Sequence, residues 1–156
     1  MTLHRADLEP VRRFADHEHR ELARGLEQIH DVACAIAGSA TIDLSAHLLQ
    51  LLAWIDGALE PHLHWEDAWL DPEIDARLGT PWATRAARFD HQQIRAMIER
   101  VRADRTNLHD AGGAGHDELR CHLFGLEALL RAHIEREERF LLPLLDEPAQ
   151  RVQAAS

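Results

Sequence analysis

HIEREERFLLP, residues 133–143, places a histidine and a glutamate four positions apart inside an otherwise apolar helical stripe. On an α-helix, positions i and i+4 stack about 6 Å apart on one face, so His133 and Glu137 can reach a single ion between them. One such pair carries little weight alone. The chain makes the same statement earlier, however, because residues 62–72 read HLHWEDAWLDP. Aligned, His62 matches His133, Glu66 matches Glu137, Asp67 matches Glu138, Trp69 matches Phe140, Leu70 matches Leu141 and Pro72 matches Pro143. A local design is used twice.

Working outward, four amphipathic helices account for the chain. The first runs from about Leu8 to Ala37, with Ala15, His19, Leu22, Leu26, Ile29 and Ala33 recurring at steps of three and four. Gly38, Ser39 and Thr41 form a turn, and Thr41 or Asp43 caps the second helix. That helix carries Leu48, Leu51, Leu52, Ile55, Leu59, His62, Glu66 and Leu70 on one face and ends before Pro72. Pro61 lies within it and predicts a kink just below His62. Leu78 to Thr80 belong to a loop, and Pro81 suits the first turn of the third helix, striped by Ala87, His91, Ile94, Ile98 and Val101. His109 to Gly115, rich in glycine, reads as a linker. The fourth helix presents Leu119, Leu123, Leu126, Leu130, His133, Glu137 and Leu141 and ends near Pro143; beyond Pro148 the tail frays.

Four long helices with short connections predict an all-α, up-down-up-down antiparallel four-helix bundle, residues 1–156 forming one domain. The register comes from counting. His19 and His62 both lie about 27 to 30 Å from the first turn at 1.5 Å per residue, and His91 and His133 obey the same arithmetic around the glycine linker. Four histidines therefore share one layer, with Glu66 and Glu137 one turn beyond. The interval from His19 to His62 is 43 positions and that from His91 to His133 is 42, as a duplicated helical hairpin requires.

A single histidine on an apolar stripe is more often a hydrogen-bonded core residue than a ligand. Six polar groups in one core layer are different, because each costs several kcal/mol to bury without a partner. Imidazole and carboxylate without thiolate suit iron, manganese or zinc, and six side chains exceed one tetrahedral zinc. Two ions bridged by Glu66 and Glu137 fit better. A ferritin-like site would need two Glu-x-x-His motifs, and the chain has only Glu27 to His30; the zincin pattern fails at Glu21. His17 and His64 fall off the stripes. At i+5 from their histidines, Asp67 and Glu138 point about 140° away and read as surface or as outer support for the ligands, and Glu135, Arg136 and Glu138 are placed on the solvated face. Trp65, Trp69, Phe89 and Phe140 lie near the metal layer, where aromatics are more often ordinary core than a shield for it.

With these residues in place, the chain resembles the hemerythrin-like, or HHE cation-binding, domains, whose pattern is one histidine, His-x-x-x-Glu, one histidine, His-x-x-x-Glu, one element per helix. The resemblance spans His19 to Pro143. It implies a non-haem di-iron centre, two Fe ions oxo- or hydroxo-bridged when oxidised. His19, His62, His91 and His133 would be terminal ligands and Glu66 and Glu137 bridging ones. It also implies binding of oxygen or nitric oxide, with peroxide breakdown or iron storage as alternatives. Oxygen-carrying hemerythrins have a further histidine where this chain has Arg95 and an aspartate where it has Glu138, which argues against a stable reversible oxygen carrier.

Composition limits the partners. The formal net charge is −10 and every basic side chain is arginine, which disfavours nucleic acid or an anionic membrane. The longest apolar run, near Leu48 to Ile55, falls far short of the roughly 20 residues of a membrane span. Two cysteines, Cys34 and Cys121, make no disulfide framework, and the start MTLHRADLEP has no apolar signal region, so a cytoplasmic location is expected. A nucleophile elbow is absent and Tyr is missing altogether, so tyrosyl chemistry is excluded. The expected partner is a small diatomic molecule or peroxide.

Overall fold

The structure, a computed structural model, describes residues 5–37, 44–107 and 112–145. We label the helices α1 (Arg5–Ala37), α2 (44–78), α3 (Arg85–Asn107) and α4 (112–145). The turn at Gly38 to Thr41, the Thr41 or Asp43 cap and the tail beyond Pro148 lie outside the described residues. The helices form an all-α bundle in which α1 packs against α2 and α4, and α3 against α4 and α2. No described helix is long and apolar enough to cross a membrane.

The predicted stripes are the buried faces. Leu22, Leu26, Ile29 and Ala33 of α1, Leu48 to Leu63 of α2, Ile94, Ile98 and Val101 of α3, and Leu119 to Leu130 of α4 supply one apolar cluster. A smaller one comprises Ala15, Leu70, Ile74, Ala87, Leu141, Leu142 and Leu145. Each leucine, isoleucine or valine among them contributes about 1.5–3 kcal/mol by leaving water. On α1, α3 and α4 the histidine falls between the contributions to the two clusters, and on α2 the boundary lies just beyond His62, between Leu63 and Leu70. The polar layer is thus enclosed by hydrocarbon on both sides.

Four boundaries differ from expectation, and proline chemistry explains two of them. Pro72 does not end α2, which continues to Leu78, and α4 runs on through a 3₁₀ turn, Leu142–Leu145. The helices survive because each proline follows a wide π-helical turn: Ile55–Leu59 before Pro61, Glu66–Leu70 before Pro72, and Glu137–Leu141 before Pro143. In a regular helix the proline ring would strike the carbonyl four residues back and leave it without a donor. Here the N–H groups of Glu60, Asp71 and Leu142 bond the carbonyls of Ile55, Glu66 and Glu137, five residues back, and the misfit is absorbed one turn early. The kink predicted at Pro61 takes this form.

The third difference is at the linker: Gly112, Gly113 and Gly115 lie inside α4, whose helical hydrogen bonding begins at Gly112. Nor does Pro81 open α3, since the turn extends to Thr84 and the helix starts at Arg85. Gly79 ends α2 in the left-handed conformation (φ 66°) that glycine adopts without strain. Thr84 Oγ1 donates to Asp75 Oδ1 at 2.8 Å and ties the α2–α3 turn to the helix it leaves.

Candidate metal centre

Each of the six expected side chains is brought to one place. His19 is 4 % exposed, His62 1 %, and Glu66, His91, His133 and Glu137 are fully buried. They fall into two overlapping groups: His19, His62, Glu66 and Glu137, and Glu66, His91, His133 and Glu137. Within each group the potential ligand atoms lie within 4.8 Å of one another. Both carboxylates belong to both groups. One comes from α2 and one from α4, so every helix supplies a histidine and alternate helices supply the shared oxygens.

The inner atoms converge without satisfying one another. His62 Nε2 lies 2.8 Å from Glu66 Oε1, His91 Nε2 3.1 Å from Glu66 Oε2, His19 Nε2 3.3 Å from Glu137 Oε2, and His133 Nε2 3.4 Å from Glu66 Oε2. None of these approaches has hydrogen-bond geometry, and all four Nε2 atoms and all four carboxylate oxygens are buried without a hydrogen-bond partner. Orphaned groups of this kind cost about 1–3 kcal/mol each unless something unites them. A cation between them would satisfy all eight atoms together, and the residues present fit such a group.

Outside this layer stands a ring of carboxylates that helical spacing alone assigns to the surface. His91 Nδ1–H donates to Asp67 Oδ1 at 2.7 Å and His19 Nδ1–H to Glu138 Oε1 at 3.3 Å. His62 Nδ1 has Glu18 Oε2 at 4.0 Å, and His133 Nδ1 has Asp90 Oδ2 at 4.0 Å. The duplication reaches this ring too: the residue after each shared glutamate serves a histidine across the bundle, and the residue before His19 or His91 faces the histidine of a neighbouring helix. Asp67 is held further by Arg95 at 2.9 Å, and Asp90 pairs with Arg136. Such outer carboxylates fix the ring orientation of a metal-binding imidazole and raise its basicity. The assignment of Glu138 and Arg136 to solvated surface is corrected on this geometry, and Asp67 takes the outer supporting place rather than the surface one. Of the residues assigned outward only Glu135 has no part in the ring; it pairs with Arg139.

Other expectations divide. His17 and His64 are exposed and stand apart from the six. Trp69, Phe89 and Phe140 are neither core nor shield, being 71 %, 58 % and 65 % exposed. Trp65 packs partly buried against the smaller cluster. One residue was missed altogether. Asp71, fully buried, groups with Asp67 and His91. Its signal was a carboxylate standing where the duplicated segment has Leu142.

Charge in the layer is shared tightly. Burial disfavours a charged His19, but Glu137 and Glu66 outweigh it and push its pKa up to about 10. Burial likewise opposes a charged His91, and Glu66 with Asp67 raises it to about 9. Burial pushes Glu66 up, yet the four imidazoles pull it well below the usual carboxylate range. Glu137 is raised by burial and by its neighbour Glu66. Burial lifts Asp71 to about 7, Arg88 and His91 opposing. In the metal-free centre His19 and His91 carry protons at neutral pH, and a cation that used their lone pairs would displace them.

No curated protein and no solved structure matches the chain. The hemerythrin HHE cation binding domain matches over residues 11–145, which takes in most of α1, the other three helices and every residue of the buried layer. The chain belongs to the hemerythrin HHE cation-binding domain family, and its buried histidines and glutamates fit the metal site of such a domain.

Proposed function

We propose that the chain is a non-haem di-iron protein that binds a small diatomic ligand, oxygen or nitric oxide, in a sensing or iron- and oxygen-handling role. One observation carries this reading: two four-residue groups share both of their carboxylates, Glu66 and Glu137. Each metal position then receives two imidazoles and two carboxylate oxygens. That donor set without thiolate suits iron or manganese, and it leaves coordination positions for an added ligand. A pair of irons, when bound, supplies reversible electron transfer and an open position for the diatomic.

The protein's own part is to hold, orient and exclude. Glu66 and Glu137 fix the spacing of the two positions, and Asp67 and Glu138 orient His91 and His19. The two apolar clusters keep bulk water from the layer. Access is provided on one side, where a cleft of about 450 Å³ between α1 and α4 reaches His19 and is lined by Arg20, Ala23, Leu26, Ile134 and Glu138. A cleft of that size ending at one imidazole suits small-molecule entry.

Metal analysis of the isolated protein, joined to an absorption spectrum of the oxidised form, tests the reading. About two irons per chain and oxo-bridge absorption are expected. Less than about one and a half irons, or no such absorption, overturns it. Addition of peroxide separates binding from catalysis. Rapid gas evolution that is lost in His91→Ala would replace the binding role with peroxide disproportionation; a spectral response to oxygen or nitric oxide without turnover supports it.

A further inference from the structure

Along α1 from His19, about 16 Å away at 1.5 Å per residue, a second cluster of reactive side chains stands clear of the metal layer. Cys34 and His30 lie one turn apart on α1, and the sulfur of Cys34, an exposed free thiol, is 3.5 Å from Nε2 of His30. The other ring nitrogen reaches α4, where His30 Nδ1–H donates to Glu127 Oε2 at 3.1 Å. Glu127 is itself buried and held, because Arg131 donates to its other oxygen, Oε1, from Nε at 3.0 Å and from Nη2 at 2.8 Å. An edge contact with Phe124, ring centroids 5.8 Å apart, sets the plane of the imidazole.

We propose that Cys34, His30 and Glu127 form a thiol site that hydrogen peroxide oxidises, with Cys34 as nucleophile, His30 as base and Glu127 positioning His30. The order of groups is that of an activated nucleophile: a thiol on a base, and the base on a group that orients it. With its ring proton committed to Glu127, His30 turns a lone pair toward the sulfur, and the thiol proton has an acceptor. Burial opposes charge on Glu127, yet Arg131 and His30 outweigh it and hold the carboxyl below its usual range, so the orienting group is ionised and accepts.

The step balances on these groups and the peroxide. His30 takes the thiol proton, the sulfur attacks one peroxide oxygen, and an S–O bond forms as the O–O bond breaks. The sulfur gives up an electron pair and becomes the sulfenic acid, the peroxide is reduced, and the departing hydroxide takes the proton from His30 and leaves as water. Attack on an O–O bond creates no tetrahedral oxyanion, so one movable proton serves where acyl transfer would need fixed donors. Location favours a small oxidant as well. Arg131, which clamps Glu127, also lines the cleft that reaches His19, so the thiol shares the α1–α4 face with that opening.

Timed exposure of the full chain to hydrogen peroxide, with dimedone to trap sulfenic acid and mass spectrometry of the peptides, tests the site. Cys121, also exposed, is the internal comparison: both thiols meet the same peroxide whatever the metal centre consumes, and its neighbour His122 is turned to Asp104 at 2.6 Å. Cys34 should be trapped at least about ten-fold faster than Cys121, and His30→Gln should bring the two within about two-fold. Glu127→Ala should do the same and also move the ring proton of His30 from Nδ1 to Nε2, which nitrogen-15 spectra of the imidazole read and a general loosening of the fold does not imitate. Circular dichroism checks both variants, and His30→Gln, at an exposed position, decides if Glu127→Ala fails to fold. Equal trapping of the two thiols in wild type, the wild-type ratio in either folded variant, or a wild-type His30 ring proton on Nε2 overturns the inference.

Discussion

The α1–α2 and α3–α4 hairpins agree most closely where they meet and least where they face solvent. In the buried layer each gives one lone histidine and one His-x-x-x-Glu pair, and each glutamate serves both metal groups. One ring out, Asp67 is one-third exposed and locked by Arg95, whereas its counterpart Glu138 is more than half exposed and lines a cleft. Beneath the layer, Asp71, a buried carboxyl, corresponds to Leu142 in the other half. The difference teaches which positions the chemistry dictates. A shared ion pair needs identical donors from both halves, but the groups around it can diverge, and a symmetric set of ligands then sits in unlike surroundings.

The largest break in that symmetry comes from a residue that belongs to both groups. Glu66→Ala should reduce bound metal to near zero, because it removes an oxygen from each position, whereas His19→Ala or His133→Ala should each remove about one ion. Metal analysis of the three variants decides. Retention of a full complement by Glu66→Ala would mean that the carboxylates do not bridge.

Protons probe both halves at once. His19 at about 10 and His91 at about 9 are protonated in the metal-free protein at neutral pH. A cation needs their lone pairs, so it must displace those protons, and affinity rises with pH until the raised pKa values are passed. Up to about two protons should leave on loading, readable as acidification of a weakly buffered solution. An affinity that stays constant from pH 6 to 8 would contradict the charge sharing described above. A smaller effect separates the outer carboxylates. Asp67→Asn takes the charge out of a 2.7 Å bond anchored by an arginine and should weaken metal binding by about 10–100-fold; Glu138→Gln does the same to a 3.3 Å contact that water can replace, and a few-fold loss is expected. Equal losses would show that the cleft does not loosen its side.

Much of this arrangement was legible in the sequence. Steps of three and four marked the stripes, and counting from the turns put His19, His62, His91 and His133 in one layer, because helical rise is constant enough to carry register over twenty residues. The wide turns were not legible. Pro72 and Pro143 read as stops because the pattern does not record whether a carbonyl is bonded four or five residues on. The outer ring was lost for a different reason. Asp67 and Glu138 were judged by their angle to the histidine on their own helix, yet each serves a histidine of another helix, and pairing across a bundle has no spacing in the chain. Asp71 could have been found by asking why one copy of a duplicated segment replaces leucine with a carboxylate.

The smallest difference predicted between the halves concerns packing above the centre, where each hairpin brings a glycine against a large side chain. A methyl group on Gly25 would overlap the indole ring of Trp54, which is rigid and wedged between α1 and α2. On Gly125 it would meet the terminal methyl of Met97 at 3.1 Å and the sulfur at 3.6 Å, the far end of a flexible chain. Replacing a mid-helix glycine by alanine favours the helix by about 1 kcal/mol in both places. At Gly125 that gain should match or exceed the small shift asked of Met97, giving an unchanged or raised melting temperature. Overpacking against the indole costs about 1–3 kcal/mol, so Gly25→Ala should melt lower. Thermal unfolding of the metal-free variants separates packing from metal binding, and a Gly25→Ala protein as stable as Gly125→Ala would show that Trp54 has room to move.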